Sequence, residues 1–123
     1  MSLSPRRTPS RLWSENPAAV LDYELAQEKA SALGRLGRQL ETSLAAIAEF
    51  DARHPTGAER TVEAGRTRAA LIAAAGTALW YFIVQREACG LRDSRAVMRD
   101  YRVPPEVQHC AGAFPARRGG APG

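Results

Sequence analysis

Apolar residues recur every three to four positions over two long stretches of the chain, which a short break separates. The first stretch covers about residues 17–53 and opens with Asn16 and Pro17, a favourable N-cap followed by a residue suited to the first helical position. The second covers about residues 57–89 and stops before Gly90, a residue that often ends helices. Two long helices joined by a short turn predict an antiparallel helical hairpin.

One side of the first helix is strongly apolar. At 100° per residue, eight large side chains fall within an arc of about 140°, and we expect this face to be buried. They are Leu21, Leu25, Leu33, Leu36, Leu40, Leu44, Ile47 and Phe50. Beside them lie small residues that include Gly34 and Gly37. Each glycine costs roughly 1 kcal/mol in a helix, so they indicate either close approach of another helix or a weakened, bent helix.

The second helix contains sixteen consecutive uncharged residues, from Ala69 to Val84. Its large side chains point in every direction, so this half of the helix needs cover on all sides. A membrane span requires about 20 apolar residues, which is more than this stretch provides. We therefore predict a homodimer in which two hairpins form a four-helix bundle, with a dedicated hetero-partner as the alternative. The predicted dimer interface comprises Ala30, Gly34, Gly37, Leu79, Trp80 and Ile83.

The remaining sequence completes an all-α fold. Two short helices are predicted at about residues 94–101 and 105–111, and no segment alternates as a strand does. The helical domain spans residues 14–112. Ser, Pro and Arg dominate residues 1–13, which are predicted to be a disordered basic arm, and residues 113–123 to be a disordered tail.

The net charge of +4 comes mainly from the two ends of the chain. Arginines at positions 6, 7, 11, 117 and 118 account for it, and the part between them is close to neutral. A basic face able to follow nucleic-acid phosphates is therefore not predicted. Two cysteines are too few for a disulfide framework, and no signal peptide is recognised, so we expect a cytoplasmic protein without membrane association.

The densest set of charged residues is predicted at the open end of the hairpin. There the start of the first helix faces the end of the second. The set is Glu24, Glu28, Lys29, Gln85, Arg86, Glu87 and Arg92. One interpretation is a salt-bridge network that fixes the register of the hairpin. The other is a ligand or catalytic pocket in which Glu28 and Lys29 act as acid and base.

Two further patterns near the C-terminus resemble known kinds of site. Glu106 and His109 have the spacing of metal ligands in di-iron helical bundles, but such bundles need two of these motifs, so neither a metal nor a cofactor is predicted. The segment 96–110 is similar to a helix-turn-helix. However, Arg102 stands where that motif prefers glycine, and Gln108 stands where it needs an apolar residue.

Three segments carry a resemblance to a known family: "LDYELAQEKASALGRLGR", "VQREACGLRD" and "DYRVPPEV". The chain resembles, over about residues 21–107, a family of short bacterial proteins catalogued as a domain of unknown function. The resemblance implies no activity. The sequence therefore predicts a non-enzymatic homodimeric protein that acts through protein or ligand binding. The alternatives are a small DNA-binding regulator using the short C-terminal helices and a small enzyme with its site at the open end of the hairpin.

Overall fold

The protein is all-helical over the residues that the computed structural model describes, which are 16–55 and 61–111. Helix α1 spans Pro17–Arg53, α2 spans Val62–Ala88 and α3 spans Ser94–Asp100. A fourth helix, α4, covers residues 105–111. Within the described ranges there is no strand, so the predicted all-α class is confirmed.

Local capping residues set the ends of the two long helices. The Asn16 side chain accepts a hydrogen bond from the Ala19 backbone N–H at the start of α1. Thr61 does the same for the Ala64 N–H at the start of α2, at 3.0 Å. Gly90, with φ +87°, ends α2 in the left-handed conformation that glycine tolerates best. Thr56 and Glu59 have the sequence spacing of a capping box, which predicts a helix start there, and both lie outside the described residues.

The core lies where α3 and α4 fold over the pair formed by α1 and α2. Leu40 and Leu79 are fully buried at its centre, together with Val97 from α3 and Val107 from α4. Phe82 packs edge-on against the Tyr101 ring, with centroids 5.4 Å apart. The other buried core residues are Ile47, Ala75, Ala78, Val103 and Ala111. One side of α2 is therefore covered by the chain itself.

The pairing of α1 with α2 leaves the start of α1 without a neighbour. Asp51, near the end of α1, binds Arg68, near the start of α2. Gly37, closer to the start of α1, lies beneath Phe82, near the end of α2. The two helices therefore run in opposite directions. With 37 residues against 27, α1 is the longer helix. In this register the first three turns of α1, residues 17–28, extend about 18 Å past the end of α2. We call these residues the α1 extension.

Over this extension the apolar face predicted to be buried is not covered within the subunit. Leu21 is 58% exposed and Leu25 is 52% exposed, because α2 ends before it reaches them. The same apolar face is buried in the C-terminal half of α1, at Leu40, Ile47 and Phe50.

Gly37 and Gly34 differ in their surroundings. A Cβ on Gly37 would lie 3.1 Å from the Tyr101 hydroxyl and 3.3 Å from the Phe82 ring. A Cβ on Gly34 would meet only the Arg38 guanidinium, at 3.4 Å. The close approach expected at Gly37 is thus made by α2 and the end of α3 within the same subunit.

Gly76 allows α4 to approach α2, and its replacement tests that packing. A Cβ there would lie 3.0 Å from Cys110 Sγ and 3.3 Å from the Ala111 backbone nitrogen, which cannot move aside alone. We expect Gly76→Ala to lower the free energy of unfolding by about 1 kcal/mol, since overpacking outweighs the gain in helix propensity. Urea denaturation provides the measurement.

Gly65→Ala is the matched control, because nothing lies within 4 Å of a Cβ at that position of the same helix. It should raise the free energy of unfolding by about 0.5–1 kcal/mol through helix propensity alone. Equal changes in the two variants would show that α4 does not pack closely on α2.

Candidate functional site

The polar cluster predicted at the open end is spread over an exposed surface. Glu24 and Glu28 lie on the α1 extension and Lys29 directly follows it. All three are exposed, as are Glu87 and Arg92, while Gln85 and Arg86 are half-buried. Among the described residues no ion pair joins any two of these seven side chains. The register explains the difference, since the end of α2 lies beside Ala30 rather than beside Glu24.

Arg86 is used within its own end of the subunit. Its guanidinium donates a hydrogen bond to the Asp93 carbonyl oxygen at 3.3 Å and lies 5.9 Å from the centre of the Phe82 ring. These contacts hold the turn after α2 against the core. Arg86 therefore stabilises this turn.

A shallow groove separates the α1 extension from the end of α2. It has a volume of about 540 Å³ and is open to solvent along one side. Leu25, Ala26 and Leu33 form its α1 wall, with Lys29 and Asp22 also lining it, and Ala88 and Cys89 form the opposite wall. The lining is mainly apolar, so the groove suits an apolar side chain rather than acid–base chemistry.

The strongest polar contact in the described structure joins three helices at the other end of the molecule. Arg68 of α2 donates two hydrogen bonds to Asp51 of α1, at 2.7 and 3.0 Å. It donates two more to Glu106 of α4, at 2.7 and 2.8 Å. We call these three residues the Arg68 clamp. Paired bidentate contacts of this kind fix both distance and orientation.

The Arg68 clamp has a structural role that the sequence did not reveal. Hydrogen bonds to Glu106 and then to Asp51 raise the pKa of Arg68 further above its usual range, so its charge is permanent. The side chain of Arg68 is only 19% exposed, so a guanidinium without these carboxylates would be poorly solvated. Glu106, considered above as a metal ligand, serves the clamp. In the described part of the chain no three His, Cys, Asp or Glu residues lie close enough to hold a metal ion.

The helix-turn-helix resemblance is only partly reproduced. Arg102 has φ +52°, so the turn between α3 and α4 takes the left-handed conformation even without glycine. Gln108, however, turns back to donate a hydrogen bond to the Val103 carbonyl oxygen at 2.9 Å. The exposed side of α4 presents Glu106 and His109. An acidic residue at the start of this helix disfavours contact with phosphates.

The most unusual surface of the subunit is the exposed side of α2, which the rest of the chain does not cover. It carries no charge over four turns, and its side chains are exposed except for Thr77, which is half-buried. Tyr81 is 56% exposed and Val84 is 42% exposed. We call this surface the α2 outer face. It consists of Ala70, Ala73, Ala74, Thr77, Tyr81 and Val84.

The residues predicted for the dimer interface are distributed between the core and the surface. Leu79 is fully buried and Gly37 is also buried, so both are covered within the subunit. Trp80, Ile83 and Gly34 are half-buried, and Ala30 is exposed beside the groove. Helix α2 was predicted to be covered on every side. Within the subunit the chain covers one side of α2 and leaves the other side exposed. The spacing of positions 70, 73, 77, 81 and 84 carried the signal for the open side, but nothing in the pattern separated it from the core side.

By length and composition α2 could also cross a membrane, which by itself is weak evidence. Helix α1 lies alongside α2 and carries Arg35, Arg38, Glu41 and Glu49 exposed over that length. Charged side chains at the depth of the bilayer are costly. The surroundings of α2 therefore disfavour a membrane span.

A family model for a family of unknown function, DUF6665, matches residues 11–119. The chain belongs to DUF6665. The resemblance inferred from the three sequence segments is thereby confirmed as membership of a domain family of unknown function. Among curated proteins and among solved structures, no match to the chain is found. Family membership assigns no activity, so the function of this DUF6665 protein has to be argued from its surfaces.

Proposed function

We propose that this DUF6665 protein is a non-enzymatic cytoplasmic protein that acts through binding and exists as a homodimer of two helical hairpins. The observation that carries the proposal is the α2 outer face. An exposed helix side with no charge over four turns is unfavourable in water, and such surfaces usually mark interaction sites.

A stable dimer needs more apolar surface than the α2 outer face alone provides. Stable interfaces bury about 800 Å² per partner, which one side of a single helix does not supply. The α1 extension adds Leu21 and Leu25, which are more than half exposed. The two surfaces meet near Ala88, where α2 ends at the groove. Together they offer more exposed apolar side chains than the α2 outer face alone, with Asp22 and Lys29 in the groove between them.

The arrangement of charged residues gives less support to an enzyme. Acid–base catalysis requires two titratable groups held near a shared site that excludes water. Glu28 and Lys29 are both exposed, and the groove that Lys29 lines is open and mainly apolar. These features support binding rather than catalysis.

The proposal is tested by the molar mass of the full-length protein in solution. We expect a particle of twice the 13.3 kDa mass of one chain at micromolar concentration. A chain that remains monomeric at that concentration would overturn the homodimer and leave the α2 outer face for a different partner.

A further inference from the structure

The α2 outer face has small residues in one half and large residues in the other. Ala70, Ala73 and Ala74 occupy the half nearer the start of the helix, whereas Tyr81 and Val84 occupy the half nearer its end. Thr77 lies midway between the two halves. The spacing of these residues follows the three- and four-residue steps that let helices pack along a shared seam.

We propose that the α2 outer face packs antiparallel against the same face of a second copy, with the twofold axis at Thr77. The inference rests on the homodimer proposed above and specifies its geometry. A twofold axis at this position makes the interface self-complementary, as closed dimers require.

The sizes of the side chains favour this alignment. Tyr81 of one copy comes to lie over Ala70 and Ala74 of the other, and Val84 lies over Ala70 and Ala73. Each large side chain thus enters a space left by alanines, twice in the dimer. A parallel alignment would place Tyr81 against Tyr81 and alanine against alanine, which crowds one end of the seam and leaves a gap at the other.

The charged residues at the two ends of the seam favour the same alignment. Arg66 lies one turn before Ala70, and Glu87 lies almost one turn after Val84, both exposed and on the same flank of the helix. The antiparallel pair brings Arg66 of each copy to the level of Glu87 of the other, which gives two opposite-charge contacts. A parallel pair would bring like charges together at both ends, which is unfavourable.

Two exposed apolar residues outside the α2 outer face also come to the same level in this alignment. Val62, at the start of α2, is 77% exposed, and Leu91, just after its end, is 44% exposed. The antiparallel alignment places Val62 of one copy at the level of Leu91 of the other.

Disulfide formation between single engineered cysteines tests the geometry. Cys89→Ser and Cys110→Ser together remove both native thiols, which are free. In this background we expect Thr77→Cys to form a disulfide-linked dimer under mild oxidation, because two cysteines on the twofold axis come within the 4.4–6.8 Å between Cα atoms that a disulfide needs. Ala70→Cys is the matched control, since its two copies would lie about 21 Å apart. We expect Thr77→Cys to cross-link at least tenfold faster than Ala70→Cys.

A second pair of variants guards against a local effect at Thr77. Mixed copies carrying Ala74→Cys and Tyr81→Cys should form a hetero-disulfide, whereas each alone should cross-link slowly. Faster cross-linking of Ala70→Cys would indicate a parallel pair and overturn the inference.

The test separates failure of the geometry from failure of the dimer. If the cysteine-free protein has the mass of a dimer but neither Thr77→Cys nor the mixed pair cross-links, the α2 seam is wrong and the homodimer stands. If the protein is monomeric, both proposals fail. A monomeric protein is also the result expected if the α2 outer face binds a different partner.

Discussion

Replacing Tyr81 by glutamate is expected to convert the proposed dimer into a monomer without unfolding the subunit. The side chain is 56% exposed in the single subunit, so a carboxylate there remains hydrated when the chain is alone. In the dimer two such carboxylates would be placed over alanines, and burying each without a partner costs about 2 kcal/mol or more. The dissociation constant should therefore rise roughly 1,000-fold. Light scattering after size-exclusion chromatography reads out the mass.

Ala45→Glu provides the control for the added charge. Ala45 is exposed on α1, away from the α2 outer face, and the substitution changes the net charge in the same direction. We expect this variant to keep the mass and the thermal stability of the wild-type protein. Equal loss of mass in both variants would indicate a general charge effect, and no loss in Tyr81→Glu would remove α2 from the interface.

Replacing Arg68 by methionine is expected to have the largest effect on the stability of the subunit. Four hydrogen bonds at 2.7–3.0 Å are lost, and Asp51 and Glu106 are left near each other without the positive charge between them. Both carboxylates are partly exposed, 37% and 51%, so water offsets some of the loss. We expect the free energy of unfolding to fall by about 2 kcal/mol in urea denaturation.

Arg99→Met is the matched control for removing an arginine. Arg99 is 71% exposed, and its ion pair with Asp100 is longer, at 3.6 Å. Exposed pairs of this kind contribute little, so the change should stay within about 0.5 kcal/mol. Both variants must be compared at one protein concentration, because dimerisation adds to apparent stability. Similar losses in the two would mean that the Arg68 clamp is not a stabilising contact.

Local residue preferences were enough to predict several features of the fold. Asn16 caps α1, Pro17 is its first residue, and Gly90 takes the left-handed conformation at the end of α2. Each depends on side chains within a few positions of the helix end. The helical class followed from the same periodicity, since no alternating segment competed with it.

The alignment of α1 against α2 could not be predicted from these local preferences. The start of α2 at Val62, capped by Thr61, sets which α2 residue meets which α1 residue. That register leaves Leu21 and Leu25 exposed and separates the charged residues that had been expected to face one another. Helix periodicity fixes the direction in which a side chain points but not the length of the neighbouring helix.

The Arg68 clamp and the burial of Leu79 were missed for a related reason. Arg68 is 17 residues from Asp51 and 38 residues from Glu106 in sequence, and no short motif links them. Leu79 is buried because Val97 and Val107 fold over α2 as part of the same core. The sequence indicated that α2 needed cover, but not that the short helices would supply it on one side only.

Sedimentation equilibrium of the full-length wild-type protein, over a dilution series through the micromolar range, tests most directly whether a second copy covers the α2 outer face. We expect a dimer of twice 13.3 kDa that dissociates only at the lowest concentrations. A single species of 13.3 kDa throughout the series, with the helical content of the folded protein, would contradict it.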